Sequence, residues 1–207
     1  MALTYQRKFE KKGFYHIAGV DEAGRGPLAG PLVCAAVIFS PSFRHALIND
    51  SKQLTDQERR KLFPFIMEHA LSVSYQMIEP EIIDRLNIYR ATQQGMMTVI
   101  QSLTIKPDFV ITDAMKLPTL DIPYEPLIKG DTKALPVAAA SIIAKVIRDD
   151  YMLQLHEQYP HFQFHLHKGY PTPLHLTLLK RYGPLKGIHR FSYRPVQEAL
   201  NQKVFLI

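Results

Sequence analysis

Two short apolar runs, Phe14–Val20 and Leu32–Phe39, flank the segment Asp21-Glu22-Ala23-Gly24-Arg25-Gly26-Pro27-Leu28-Ala29-Gly30-Pro31. No other feature constrains the fold as much. Runs rich in β-branched, aromatic and other apolar residues, with glycines and prolines between them, predict two strands joined by a turn, a hairpin. The first strand delivers two adjacent carboxylates at its end, and charged groups taken out of water need compensation. A dinucleotide-binding loop is a poor alternative. Such a loop opens a helix, whereas Gly24-Arg25-Gly26 is followed by Pro27, Pro31 and a second strand.

Downstream, Thr55-Asp56-Gln57-Glu58 has the form of a capping box and predicts a helix to about Ala70. Leu71, Val73, Tyr75 and Met77 alternate with polar residues, the period of a third strand. Pro80–Leu103 reads as helix, interrupted near Asn87 or Gly95. Two further short strands follow, Phe109–Thr112 ending at Asp113 and Tyr124–Ile128 ending before Lys129-Gly130-Asp131. Helices are predicted over Ala138–Gln154 and Pro173–Tyr182. This order implies an α/β fold: a mixed five-stranded sheet, an antiparallel meander extended by parallel strands reached through helical crossovers. No repeat or linker divides the chain, so residues 1–207 are expected to form one domain, with a core over about 13–158 and a basic, mostly helical extension over about 159–207.

Composition sets the class. A chain of 207 residues with 46% hydrophobic and 21% charged residues is globular and buries enough surface to fold without disulfides or structural metal. Its one cysteine, Cys34, lies in an apolar strand and reads as core packing in a reducing compartment. The longest apolar run is too short to span a bilayer, and Met1–Lys12 is polar, so the expectation is a soluble cytoplasmic protein that acts as a monomer without membrane contact. The net charge of +6 is localised: residues 160–207 hold seven Lys or Arg and a single acid, Glu198. Such a stretch fits either a polyanion-binding surface or a solubilising tail. The apolar ending Val204-Phe205-Leu206-Ile207 can pack on the body or dock a protein partner.

Asp21, Glu22, Asp113 and Asp131 all lie at or just beyond strand ends. In sheets with parallel segments, ligands collect outside the carboxyl ends of the strands. If the first and fourth strands are parallel neighbours, these acids share one rim, where they cannot all stay ionised without countercharge. Lys or Arg could supply it, and any one strand-end acid can be an ordinary turn or cap residue. Hard divalent cations, however, bring matching oxygen chemistry, and Mg²⁺ is usually held by one or two carboxylates plus phosphate oxygens. Two such ions could clamp the attacking water and the leaving oxygen of a phosphoryl displacement.

The segment Gly19-Val20-Asp21-Glu22-Ala23-Gly24-Arg25-Gly26-Pro27-Leu28-Ala29-Gly30 resembles the signature of the ribonuclease HII family. The likeness continues colinearly through Asn49-Asp50-Ser51-Lys52, Leu86-Asn87, Lys129-Gly130-Asp131, Ala138–Lys145, Arg148-Asp149 and His167-Lys168-Gly169-Tyr170-Pro171-Thr172. One departure is visible: Ala114 follows Asp113 where the family usually has glycine. The resemblance implies a ribonuclease H-like fold and hydrolysis of RNA in RNA·DNA hybrids. It also implies incision 5′ of single ribonucleotides in duplex DNA, with Mg²⁺ or Mn²⁺, two ions during catalysis. On it, Asp21, Glu22, Asp113 and Asp131 look like the metal-binding catalytic carboxylates. Gly24-Arg25-Gly26 with Tyr170 looks like the device that senses the 2′-hydroxyl.

Those positions also make physical sense. Glycines let a backbone approach a sugar–phosphate closely, and the 2′-hydroxyl distinguishes RNA from DNA. Lys52 and Lys168 can meet phosphates if their loops face the substrate. Ser141, Lys145 and Arg148 recur at helical spacing and share a helix face that could follow a nucleic-acid backbone, although a solvated face explains it too. Asp149-Asp150 reads equally as a solvated helix face. His165 and His167 lack the companions a zinc site needs. Rival readings are a resolvase-like DNA nuclease, a non-catalytic hybrid-binding module and a Mg²⁺-dependent phosphatase.

Overall fold

The computed structural model describes residues 4–48, 51 and 53–204. Lys52, Asn49, Asp50 and the last three residues of the apolar C-terminus therefore lie outside the described residues. In chain order the elements are α1 (Arg7–Glu10), β1 (Ile17–Ala23), β2 (Leu32–Ile38), α2 (Asp56–His69), β3 (Ser72–Ile78), α3 (Pro80–Leu86), α4 (Ile88–Gln101), β4 (Phe109–Asp113) and β5 (Tyr124–Leu127). After a 3₁₀ turn at Gly130–Thr132 come α5 (Leu135–Gln158), a second 3₁₀ turn at Pro160–Phe162, α6 (Phe164–His167), α7 (Pro173–Tyr182) and α8 (Arg194–Val204).

The five strands form one sheet in the order β3-β2-β1-β4-β5. β1 pairs antiparallel with β2 and parallel with β4, and β4 pairs parallel with β5. This is the mixed sheet that the alternation of strands and helices predicts. Every residue of β2 is buried, as expected for an apolar run without alternation. Thr55 caps α2 through both bonds of a capping box. The predicted interruption of the helix after Pro80 falls at Asn87, whose φ of +66° is incompatible with helix, while Gly95 sits inside α4.

One boundary differs with consequence. The first strand ends at Ala23, not at Val20, so Asp21 and Glu22 lie within it, opposite Ala35 and Cys34 of β2. The parallel ladder to β4 stops at Val20↔Thr112. β1 therefore runs on beyond its pairing with β4, and the acids occupy that stretch, still paired with β2.

The described chain groups into two compact units, one of residues 1–23, 33–76 and 93–146, the other of residues 24–32, 77–92 and 147–207. In the first, Phe9, Ile17, Phe109, Ile111, Leu127 and Val137 form a core cluster. α5 starts against β1: a Cβ on Gly19 would stand 2.1 Å from the carbonyl carbon of Pro136, so only glycine permits this approach. In the second, Ala29, Met152, Leu155, Phe162, Phe164, Leu178 and Ile188 cluster, and Leu28, Leu179, Val196 and Ala199 form a smaller group. Among the described residues no helix is long and apolar enough to cross a membrane.

Candidate metal centre

Each aspartate is delivered by a local feature of the first unit. Asp21 projects from β1 and is buried; its Oδ1 accepts from the Glu22 amide at 2.7 Å, and Ser141 of α5 hydrogen-bonds to its carboxylate. Asp113 ends β4, and its Oδ1 accepts from the Gly130 amide at 2.8 Å. Asp131 is buried in the 3₁₀ turn that follows Lys129, a residue at φ +58°. One carboxylate oxygen from each of the three lies within 4.8 Å of the others. Glu22 stands beside this group, on the next strand position, and is half-buried.

Burial, with the charges of Glu22 and Asp113 added to it, raises the Asp21 carboxyl well above the usual range. Burial, then the charges of Glu22 and Asp21, also raises the Cys34 thiol, which stays protonated as the packing reading requires. A cluster of hard oxygen donors with excess negative charge suits a divalent cation of the Mg²⁺ or Mn²⁺ kind. The donor set fits such an ion, which Asp21, Asp113 and Asp131 could hold between them.

The family's glycine after the β4 aspartate is replaced by Ala114, and the backbone there keeps a glycine-like φ of +53°. The Ala114 amide still donates to Leu127 O at 3.1 Å, so the turn survives at the expense of strain. A non-glycine residue in this region costs about 1–2 kcal/mol. Ala114→Gly should raise the thermal midpoint by roughly 2–4 °C, corresponding to about 1 kcal/mol of relief. A calorimetric scan showing no rise would mean that the turn is not strained.

The remaining predicted residues divide. In the second unit, Arg25 and Gly26 are the exposed tip of a loop whose other residues, Gly24 and Pro27–Gly30, are buried. Tyr170 is exposed, and its Cε1 lies 3.7 Å from where a Cβ of Gly26 would be. The Lys168 Nζ donates to His165 O at 2.7 Å. On α5, Lys145 is half-buried, but Ser141 and Arg148 are buried. They do not form the open, solvated face that their spacing suggested. Ser141 Oγ lies 2.7 Å from Ser51 Oγ and bonds Asp21. Arg148 donates from Nε to Pro31 O at 3.0 Å and from Nη2 to Ala29 O at 3.1 Å. Burial lowers its guanidinium to about 10, which leaves it cationic at neutral pH. Gly24, at φ +104°, leaves the space that the Arg148 side chain occupies. Asp149 is buried too, so it is not a solvated acid.

Sequence reasoning missed two buried features within the basic C-terminal stretch. Arg190, counted there as surface charge, is fully buried. His167, His175 and His189 are also buried and frame the Tyr170 turn. His167 Nδ1 accepts from the Gly169 amide at 3.1 Å, and its Nε2 lies 2.8 Å from Phe162 O. The bonding pattern makes His189 the acceptor for the Leu185 amide and the donor to His175, which donates to Tyr170 O at 2.9 Å. Burial, then the neighbouring imidazoles, pushes His175 down to about 4 and His189 down to about 3, so both stay neutral. Composition sees only basic residues here; their inward direction is not a local property.

Comparison with known proteins shows the family. A sequence profile of ribonuclease HII matches residues 18–196. The chain is 46% identical over 196 residues to a ribonuclease HII of Halalkalibacterium halodurans, covering 95% of this chain and 74% of that one. It is 46% identical over 200 residues to a ribonuclease HII of Acholeplasma laidlawii, covering 97% and 98%. The crystal structure of a ribonuclease H2 from Pyrococcus horikoshii superimposes with a TM-score of 0.78 at 29% identity, covering 90% of this chain and 97% of that one. With a mixed ribonuclease H-like sheet and an aspartate cluster that fits a divalent cation, the chain belongs to the ribonuclease HII family and is a nuclease of the ribonuclease H type.

Proposed function

We propose that this enzyme hydrolyses RNA in RNA·DNA hybrids and incises duplex DNA on the 5′ side of single embedded ribonucleotides, leaving a 3′-hydroxyl and a 5′-phosphate. The observation that carries the reading is the meeting of Asp21, Asp113 and Asp131 from β1, the end of β4 and the turn after β5. Mg²⁺ or Mn²⁺ would be held by these three, with Glu22 beside them. Two such ions, when bound there, would supply a lowered pKa for the attacking water and charge stabilisation for the departing 3′ oxygen. The chain itself aims the ligands. The Glu22 amide and Ser141 fix Asp21, and the Gly130 amide fixes Asp113.

Selection of ribose falls to Gly24-Arg25-Gly26 and Tyr170. The exposed Arg25-Gly26 tip can approach a sugar–phosphate closely, and the Tyr170 ring beside Gly26 offers a surface for the neighbouring sugar. Arg148 acts on the loop from within, and Lys145, Lys168 and Lys52 supply phosphate contacts without sequence preference.

The test is incubation of three duplexes, a uniform hybrid, one with a single ribonucleotide and one all-DNA, with Mg²⁺, with Mn²⁺ and with EDTA, and mapping of the cut. Cleavage of the first two only, dependent on metal and 5′ of the ribonucleotide, is expected. Cutting of the all-DNA duplex would point to a resolvase-like nuclease, and cutting in EDTA would exclude the metal. Tyr170→Ala should reduce incision at a single ribonucleotide by about 10-fold, the scale of one lost aromatic contact, with all-DNA affinity nearly unchanged. Equal losses on both would remove Tyr170 from ribose sensing.

A further inference from the structure

The Gly24–Pro31 loop turns its carbonyls towards buried guanidinium groups, and Arg190 takes the largest share. Its Nη2 donates to Gly24 O at 2.7 Å and to Gly30 O at 2.9 Å, and its Nε reaches Gly30 O at 3.2 Å. Its Nη1 donates to Arg25 O and to the Tyr193 hydroxyl oxygen, both at 3.2 Å. The Tyr193 hydroxyl in turn donates to Arg25 O at 2.8 Å. Even the Arg190 amide is used, on Leu28 O at 2.8 Å. A carboxylate helps to keep this buried cation charged: Asp84, which accepts from the amides of Phe191 and Ser192, opposes the lowering that burial imposes on Arg190.

A carbonyl and the amide of the same trans peptide unit point in opposite directions. Drawing the Gly24 and Arg25 carbonyls onto Arg190 therefore turns the Arg25 and Gly26 amides away from it. Those two residues are the exposed ones. Only a planar fork with several donors can hold the Gly24, Arg25 and Gly30 carbonyls at once; an ammonium has no such geometry.

We infer that Arg190, together with Tyr193, is a positioning residue for ribose selection. It sets the direction of the Arg25 and Gly26 amides without touching substrate. The inference rests on the proposed function for its specificity consequence, but the hold on the loop can be read separately. Arg190→Lys and Tyr193→Phe would each be examined by amide hydrogen exchange over residues 24–31. Each would also be assayed for kcat/KM on a single-ribonucleotide duplex and on a uniform hybrid.

Faster exchange confined to the loop is expected. The single-ribonucleotide kcat/KM should fall by about 10-fold or more for Arg190→Lys, since small misplacements of a reading group are costly. It should fall by roughly threefold or more for Tyr193→Phe, which removes the hydroxyl's two hydrogen bonds, to Arg190 and to Arg25 O. The hybrid, which offers a ribose at every register, should lose much less. Unchanged exchange in the loop overturns the inference. So does faster exchange with an unaltered ratio between the two substrates, because Arg190 would then be structural only. If Arg190→Lys does not fold, Tyr193→Phe decides by the same two criteria. A wild-type enzyme that cuts hybrid but no single-ribonucleotide duplex overturns the proposed function instead, and the exchange data still report whether Arg190 holds the loop.

Discussion

Asp21→Asn is expected to lower kcat on an RNA·DNA hybrid by roughly 10³-fold or more, the scale on which one group stabilising transition-state charge is felt. Hybrid affinity should change little, because phosphate contacts made elsewhere supply most of it. The same substitution carries a second, opposite signature. Asp21 is buried beside Glu22 and Asp113, and its carboxyl is held well above the normal range. Without metal, a neutral isostere removes that repulsion, so the thermal midpoint of the metal-free variant should equal or exceed that of the wild type. Added Mn²⁺ should stabilise the wild type far more than the variant, since a ligand stabilises only the state that binds it. Unchanged turnover, or an equal Mn²⁺-induced shift in both proteins, would remove Asp21 from the metal centre.

Gly19→Ala is expected to be the most destabilising small substitution in the first unit. The added methyl would sit 2.1 Å from the Pro136 carbonyl carbon and 2.2 Å from the Val137 nitrogen. Both are backbone atoms at the start of α5, so no side chain can swing aside. Overpacking typically costs about 1–3 kcal/mol, and a backbone obstacle places this case near about 3 kcal/mol. That corresponds to a midpoint lowered by roughly 6–12 °C for a chain of this size. Activity should fall as well, because β1 carries Asp21 two residues further on and α5 carries Ser141, which bonds it. A midpoint within a degree or two of the wild type would mean that α5 does not start against β1 as described.

Much of this molecule was legible in its sequence because the signals were local. Alternation at Leu71–Met77 marked β3, the Thr55–Glu58 box marked the start of α2, and Pro173–Tyr182 matched α7 from end to end. The boundary of β1 was misplaced because Asp and Glu are poor strand formers. Here pairing with β2 outweighed that preference. The basic C-terminal stretch was misread in part for the opposite reason. Charge counting assumes an exposed side chain, whereas Arg190 is enclosed by carbonyls that come from the Gly24–Pro31 loop, far away along the chain.

The order of amino acids was sufficient to identify the family, since its signature is carried by short runs such as Asp21-Glu22 and Gly24-Arg25-Gly26. Tertiary structure alone decided that Asp21, Asp113 and Asp131 meet while Glu22 stands to one side, and that Arg148 and Arg190 face inward. The reason is that strand register and helix crossovers join residues about a hundred positions apart. Such distances are set by packing, which no local pattern of residues encodes.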